Sequence, residues 1–246
     1  MRFKIVTNAF NGEKYIEKCL KSIQEQTLDF DCVFVDDAST DETFEIASDV
    51  VGEDKRFKII KRSKNQGKML SFLQGMSELS SSDDDIVVEV DGDDYLIHNK
   101  VLERVKQEYD NGALATYGQF RTRTWNSGIC ANYSDSIIGN RDFRHTAWIA
   151  SHLKTYKYFL FKKIRKEDFM DNEGKPLDMV PDMVVMFSIL EMVGNSVHFI
   201  PDVLYFYRTD NPMCAHNLNV EEQRRQEQVV RAREKYSILD VNAYEV

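Results

Sequence analysis

Asp91, Asp93 and Asp94 put three carboxylates within four positions, with Gly92 after the first, directly behind the nearly all-apolar run 86–90. Like charges this close repel one another, and burial adds to the cost. A bound cation removes the conflict. Hard divalent ions such as Mg2+ and Mn2+ take carboxylate oxygens and keep positions open for phosphate oxygens. The plainer reading is a solvated acidic turn, the commonest fate of a D-G-D-D string taken alone. A second acidic pair, Asp36-Asp37, closes the run 32–35 in VFVDDAST. Asp182 follows Pro181 at the head of PDMVVMFSILEMV, where an acid also suits the first turn of a helix.

The elements that must position these residues alternate along the first half. Strand-like runs at 3–7, 32–35, 57–60 and 86–90 are separated by stretches with helical spacing. Tyr15, Ile16, Cys19, Leu20 and Ile23 form one apolar face. Ser39 or Thr40 is suited to cap a helix running to about Val51, with Asp41 and Glu42 in its first turn. Met69, Leu70, Leu73 and Met76 mark a third helix after the Asn65-Gln66-Gly67 turn. Residues 99–108 read as helix and 114–120 as strand. The run 86–90 is expected to be buried on both faces. This rhythm predicts a Rossmann-like, doubly wound, mostly parallel α/β sheet. Ligands bind beyond the carboxyl ends of such strands, and Thr7, Asp36-Asp37 and residues 91–94 all fall there. The second half predicts a helix at 181–193, short strands at 197–200 and 203–207, and a polar helix at 221–236. With no repeat and no linker, the chain reads as one domain with halves 1–120 and 121–246.

At 246 residues the chain is long enough to bury a substantial core. Its apolar runs fall far short of the roughly 20 residues of a membrane helix, and MRFKIVTNAF lacks the pattern of a signal peptide. A cytoplasmic protein is the expectation. Cys19, Cys32, Cys130 and Cys214 form no C-x-x-C pair, which argues against structural zinc or a disulfide framework. Cys19 and Cys32 read as packed thiols.

VTNAFNGEKYIEKCLKSIQEQT, then VFVDDASTDET, NQG and VDGDD, in that order and spacing over about residues 3–100, resemble the family 2 glycosyltransferases. The resemblance implies the GT-A fold and an inverting, metal-dependent transfer of sugar from a nucleotide-diphosphate sugar, a UDP-sugar in the commonest case. It implies that Thr7, Asn8, Ala9 and Phe10 line the base and ribose pocket, and that Asp37, more than Asp36, accepts a hydrogen bond from the base. Gly67 and Lys68 would lie near the nucleotide. Phe72-Leu73 stands where such enzymes often carry Arg-Asn, which puts donor contacts from that helix in doubt. Asp91 and Asp93, with Gly92 between, would be the D-x-D pair contacting ribose and metal, and Asp94 a further ligand to Mn2+ or Mg2+. The catalytic base would be Asp182, with Asp178 as the fallback. Arg208, in a Tyr-Arg pair, would neutralise the diphosphate, and His216 beyond it would ligate the metal or touch a phosphate.

Net charge is −9, yet residues 121–166 carry ten Lys/Arg against Asp135 and Asp142. That segment is +8, leaving about −17 on the rest. Aromatic residues are interleaved with the basic ones in HTAWIASHLKTYKYFLFKKIRK, a mixture suited to sugar stacking or nucleic acid. YKYFLFKK also reads in part as a strand whose lysines stay solvated. The expected partners are a nucleotide-sugar donor and a glycan, lipid-linked or other anionic acceptor, with modified bases of phage DNA as a further acceptor class. His145 and His152, in the same segment, would face donor or acceptor, and His98 and His198 read as structural. A nucleotidyltransferase would need a Gly-rich, Arg-bearing loop after the first strand, which TNAFNGEKY is not. A receiver domain does not account for D-G-D-D or for the second half. A non-catalytic glycan-binding relative would have lost the D-x-D or the base.

Overall fold

The computed structural model describes residues 1–211 and 219–240. Strands β1 (Phe3–Ala9), β2 (Phe30–Asp36), β3 (Phe57–Lys61) and β4 (Ile86–Asp91) run parallel in the order β3-β2-β1-β4. Helices α1 (Ile16–Gln24), α2 (Thr43–Val51) and α3 (Lys68–Glu78) connect them. β5 (Tyr95–Leu96), α4 (Val101–Asp110), β6 (Ala115–Arg121), α5 (Asp135–Asn140), β7 (Lys154–Lys157), α6 (Tyr158–Lys162), α7 (Pro181–Val193), β8 (Val197–Phe206) and α8 (Val220–Arg231) follow. The eight strands form one sheet, β3-β2-β1-β4-β7-β6-β8-β5. β7 is antiparallel to both its neighbours, and β5 is antiparallel to β8.

Alternation along the strands builds two cores. Ile5, Cys32, Phe34 and Val88 join the layer of α1, α2 and α4, while Val6, Val33, Val35 and Val87 join that of α3 and α7. Strands buried on both faces therefore carry apolar residues at nearly every position. α7 has eleven buried residues after Pro181 and Asp182, so it has no polar face to show. Cys19, Cys32 and Cys130 are buried free thiols, as packed cysteines should be.

Two sequence expectations change in the second half. The runs 197–200 and 203–207 are one strand. β8 pairs Ile200 with Gly118 and Val203 with Gln119, so Pro201 and Asp202 bulge out of the ladder. Proline has no N–H to give a neighbouring strand, which is why the pattern looked broken. YKYFLFKK is strand only over Tyr156-Lys157, and of its lysines Lys157 is buried while Lys162 and Lys163 stay exposed. β7 ends at Lys157, α6 begins at Tyr158, and Lys154 and Lys157 are 2% and 8% exposed. Lys154 Nζ lies 3.5 Å from Glu89 Oε2, and Lys157 is paired with Asp84.

Part of the positive charge of residues 121–166 is thus engaged inside the fold, while Arg121, Arg123, Lys162, Lys163 and Lys166 stay exposed. Lys162 pairs with Asp83, and Arg165 donates to Asp168 at 3.0 Å. Arg144 donates from Nε and Nη2 to the two oxygens of Glu191 at 2.8 and 3.0 Å, and from Nη1 to Val230 O. Glu191 is fully buried and Arg144 4% exposed. This pair ties α7 to α8. Arg144→Met, which strands the Glu191 charge, is expected to lower unfolding stability in urea by about 3–5 kcal/mol. The double variant Arg144→Met/Glu191→Met should recover most of that loss.

Candidate functional site

The carboxyl ends of β1, β2 and β4 open on a cleft of about 350 Å³. Its floor is the D-G-D-D turn. Asp94 N donates to Asp91 O at 3.0 Å, so the four residues close a β-turn that leads from β4 into β5. Gly92 N donates to Asn8 O at 3.1 Å, and a Cβ on Gly92 would stand 2.6 Å from that same oxygen. The turn lies against the end of β1 because residue 92 has no side chain.

Each carboxylate meets a different partner. Asp91 Oδ1 lies 2.9 Å from Lys68 Nζ at the head of α3. Asp93 Oδ2 accepts from Asn211 Nδ2 at 2.8 Å. Asp94 Oδ1 accepts from the Arg208 backbone N–H at 2.7 Å, while its Oδ2 is buried without a hydrogen-bond partner. Burial opposes charge on Asp91, but Lys68 and Lys154 outweigh it and hold the carboxyl below its usual range. Burial and then Asp91 push Asp93 up. Burial, then Asp93 and Asp91, push Asp94 well up. The turn's protein partners therefore relieve Asp91 and leave Asp94 with a charge conflict.

Behind the turn stands His152. Its ring stacks on Tyr205 and Tyr207, with centroids at 4.7 and 4.8 Å. Burial and then Lys154 drive its pKa well down, which keeps the imidazole neutral and able to bind a metal. Asp91, Asp94 and His152 each offer one ligand atom, and the three atoms lie within 4.8 Å of one another. Carboxylate oxygens with one imidazole could hold a divalent cation such as Mn2+ or Mg2+. Asp93, expected as a ligand, is held by Asn211 and lies outside this group. His216 lies outside the described residues.

Of the residues expected to bind the donor, Asn8, Ala9, Phe10, Asp37, Gly67, Lys68, Asp91, Gly92 and Asp93 all line the cleft. Thr7 does not. It is fully buried, with its hydroxyl 3.9 Å from Cys19 Sγ, because its position in β1 points into the α1 layer. Arg208 lies beside the cleft, where Nε donates to Asp93 O at 2.9 Å and the guanidinium lies over the Tyr15 ring. Asp37 is 3% exposed and accepts from Gln66 N at 3.0 Å and Gly67 N at 2.8 Å, with Arg62 Nη1 at 3.4 Å. It fixes the loop that forms the facing wall. Asp36 is pushed up by burial, and only its Oδ2 finds a donor, the Ser39 N–H.

Ser39 and Thr40 do not cap α2, whose N-terminal flank is Glu42 without a side-chain cap. Ser39 Oγ instead accepts from Asn11 N, and Thr40 N donates to Asn11 Oδ1, both at 2.9 Å. Gly12 N donates to Thr43 Oγ1 at 2.8 Å. The VDDAST segment is thus a latch on the loop after β1, where Asn11 holds a left-handed φ of 51°.

The two base candidates separate. Asp178 Oδ1 accepts from Met69 N at 2.8 Å and so caps α3. Burial and then Asp37 raise its pKa. Gly67, at φ 92°, passes so close that a Cβ would lie 2.6 Å from Asp178 Oδ1. Asp182, second residue of α7, is half-buried and opens on a side pocket of the cleft with Lys68, Asp91, Lys154 and Glu89. Lys154, Tyr205, Tyr207 and Asn211 are site residues the sequence reading missed. Glu89 was the available signal for Lys154, since an acid inside the apolar strand VVEV demands a buried cation. The two are cross-strand partners between β4 and β7.

A curled α/β sheet with an acidic turn and a nucleotide-sized cleft beyond its parallel strands defines a GT-A type transferase. The model of Glycosyl transferase family 2 matches residues 4–173, and the chain belongs to that family. Among curated relatives, the GalNAc(5)-diNAcBac-PP-undecaprenol beta-1,3-glucosyltransferase of Campylobacter jejuni is 24% identical over 70% of this chain and 57% of its own length. S. aureus TarS 1–349 in complex with UDP-GlcNAc superposes with a TM-score of 0.66 at 19% identity, over 89% of this chain and 62% of that one. The mannosyltransferase PcManGT of Pyrobaculum calidifontis, in complex with GDP-Man and Mn2+, gives 0.60 at 16%, over 96% and 66%. The chain spans less than two thirds of each. No helix among the described residues is long and apolar enough to cross a membrane.

The raised pKa of Asp94 has a consequence for stability. Between the ordinary value of 3.8 and the raised folded value, the native state holds a proton that the unfolded chain has released. Stability of the metal-free protein should therefore fall as pH rises through that window. Asp94→Asn should flatten that slope and raise the metal-free melting temperature at pH 7, while abolishing any stabilisation by Mn2+.

Proposed function

We propose that the cleft binds a nucleotide-diphosphate sugar, a UDP-sugar by preference, and that the enzyme transfers the sugar with inversion to an acceptor hydroxyl. One observation carries this reading. The wall fixed by Asp37, the D-G-D-D turn and Asp182 share a continuous lining through Asn8, Lys68 and Asp91. The UDP-GlcNAc and GDP-Man complexes of the structural neighbours support a donor of this class.

In this reading the loop 8–12, latched by Ser39 and Thr40, holds the nucleoside against the Asp37 wall. Lys68 brings positive charge to the diphosphate side of the cleft. Burial opposes that charge, but Asp91, Asp182 and Asp93 outweigh it and raise the lysine's pKa. Asp91, Asp94 and His152 would hold Mn2+ or Mg2+, which when bound supplies a Lewis acid for the charge that develops on the departing diphosphate. Asp182 takes the proton of the acceptor hydroxyl as its oxygen bonds to the sugar's anomeric carbon. Asp178, engaged by Met69 N, is assigned the capping role. The Campylobacter relative's name points to a lipid-linked glycan as the acceptor class. Arg144, Lys154 and Lys157 of residues 121–166 are engaged by Glu191, Glu89 and Asp84, which weakens the case for an anionic polymer such as DNA.

Thermal melts with UDP, GDP, CDP and dTDP, each with Mn2+, Mg2+ or EDTA, test the donor site. A nucleotide at 100 times its Kd should stabilise by about 2.7 kcal/mol, roughly 5–10 °C for a chain of this size. The shift should vanish in EDTA, and its absence with every nucleotide would sink the donor reading. Asp182→Asn should lower kcat by about 10²–10⁴ and leave the nucleotide-induced shift intact. Asp178→Asn keeps an oxygen for Met69 N and should retain near-normal kcat. Loss of kcat in the second variant rather than the first would reverse the assignment.

A further inference from the structure

Trp125 stands out on the surface. Among the described residues it is the one exposed large aromatic, at 57%, whereas Trp148 packs on Phe187. Single exposed apolar residues are common and mean little by themselves. The loop that carries Trp125 is, however, built to hold it out. Thr122 N donates to Trp125 O at 2.8 Å, and Trp125 N donates to Thr122 Oγ1 at 2.9 Å, which closes a tight turn. Further along, Gly128 lies against Phe120 so closely that a Cβ would stand 2.5 Å from the ring, and Gln119 Nε2 donates to Cys130 O at 2.8 Å. Both ends of the loop are fastened to β6.

The turn also sits beside the donor cleft. β7 is antiparallel to both β4 and β6, so the carboxyl end of β6 lies at the same end of the sheet as that of β4. Arg121 O accepts from Tyr207 N at 2.8 Å, and Tyr207 lines the cleft with its ring 5.3 Å from that of Phe120. Arg123 reaches Asp210, which also meets Arg208, the residue bonded to Asp93 O. An aromatic face with low conformational entropy, fixed beside a transfer site and flanked by exposed Arg121 and Arg123, matches the apolar face of a pyranose with hydroxyls free to bond at its rim.

We propose that Trp125 is the stacking platform for a pyranose unit of the acceptor, a specificity-determining contact separate from donor binding. The proposal rests on the glycosyltransferase reading of the cleft. The test uses the full chain with UDP and Mn2+, titrated with the methyl pyranosides of glucose, galactose and N-acetylglucosamine while tryptophan emission is followed. At least one probe should quench or blue-shift the emission saturably. The change should be lost in Trp125→Ala and kept in part in Trp125→Phe. For the saccharide that serves as acceptor, Trp125→Ala should raise KM about tenfold or more, the scale expected of a truncated aromatic anchor. The UDP-induced melting shift should be unchanged. No emission change with any probe, or an unchanged acceptor KM in Trp125→Ala, overturns the platform. Loss of the UDP shift in the wild-type chain instead overturns the donor reading beneath it.

Discussion

Repulsion among Asp91, Asp93 and Asp94 is the constraint around which this end of the molecule is arranged. No strand end can hold three carboxylates in low dielectric unless each is answered. Lys68 answers Asp91 from α3, Asn211 answers Asp93, and the Arg208 N–H answers one oxygen of Asp94. The other oxygen of Asp94 is buried and finds no hydrogen-bond partner. β5 and the carboxyl end of β8 are held together at this turn, since Tyr205 OH accepts from Asp91 N and Tyr95 pairs with Phe206.

The second requirement is a place for β7. Inserted antiparallel between β4 and β6, it carries Lys154 beneath the turn and begins two residues after His152. Burial disfavours a charged Lys154, yet Glu89, Asp182 and Asp91 together hold its pKa up. This short strand thus supplies the cation under the acidic turn, and the segment just before it supplies the imidazole of His152 beside the turn. Three bases of residues 121–166, Lys154, Lys157 and Lys162, answer first-half acids, Glu89, Asp84 and Asp83, across the junction of the two halves.

Glycine serves the same economy of space at two points. Gly92 lets the turn touch the end of β1, and Gly67, at positive φ, lets the loop held by Asp37 pass over the Asp178 carboxylate. A methyl group at either position would push apart walls that face each other across the cleft.

Local pattern by itself determined the parallel strands, the helices between them, and the convergence of Asp37 and the D-G-D-D turn on one crevice. Those features follow from periodicity and from the rule that doubly wound sheets bind at their carboxyl ends, both readable in a window of a few residues. Residues 8–10 were placed there only by the resemblance to the family. Tertiary structure decided which side each residue serves. It turned Thr7 into the α1 layer, gave Asp178 to the head of α3, made Ser39 and Thr40 a latch, and brought His152 to Asp91 and Asp94 across some sixty positions of chain. Such roles depend on which distant strand becomes a neighbour. Pairing β7 with β4 is a long-range choice fixed by the packing of the whole sheet and by the Glu89–Lys154 charge pair, and no local pattern encodes it.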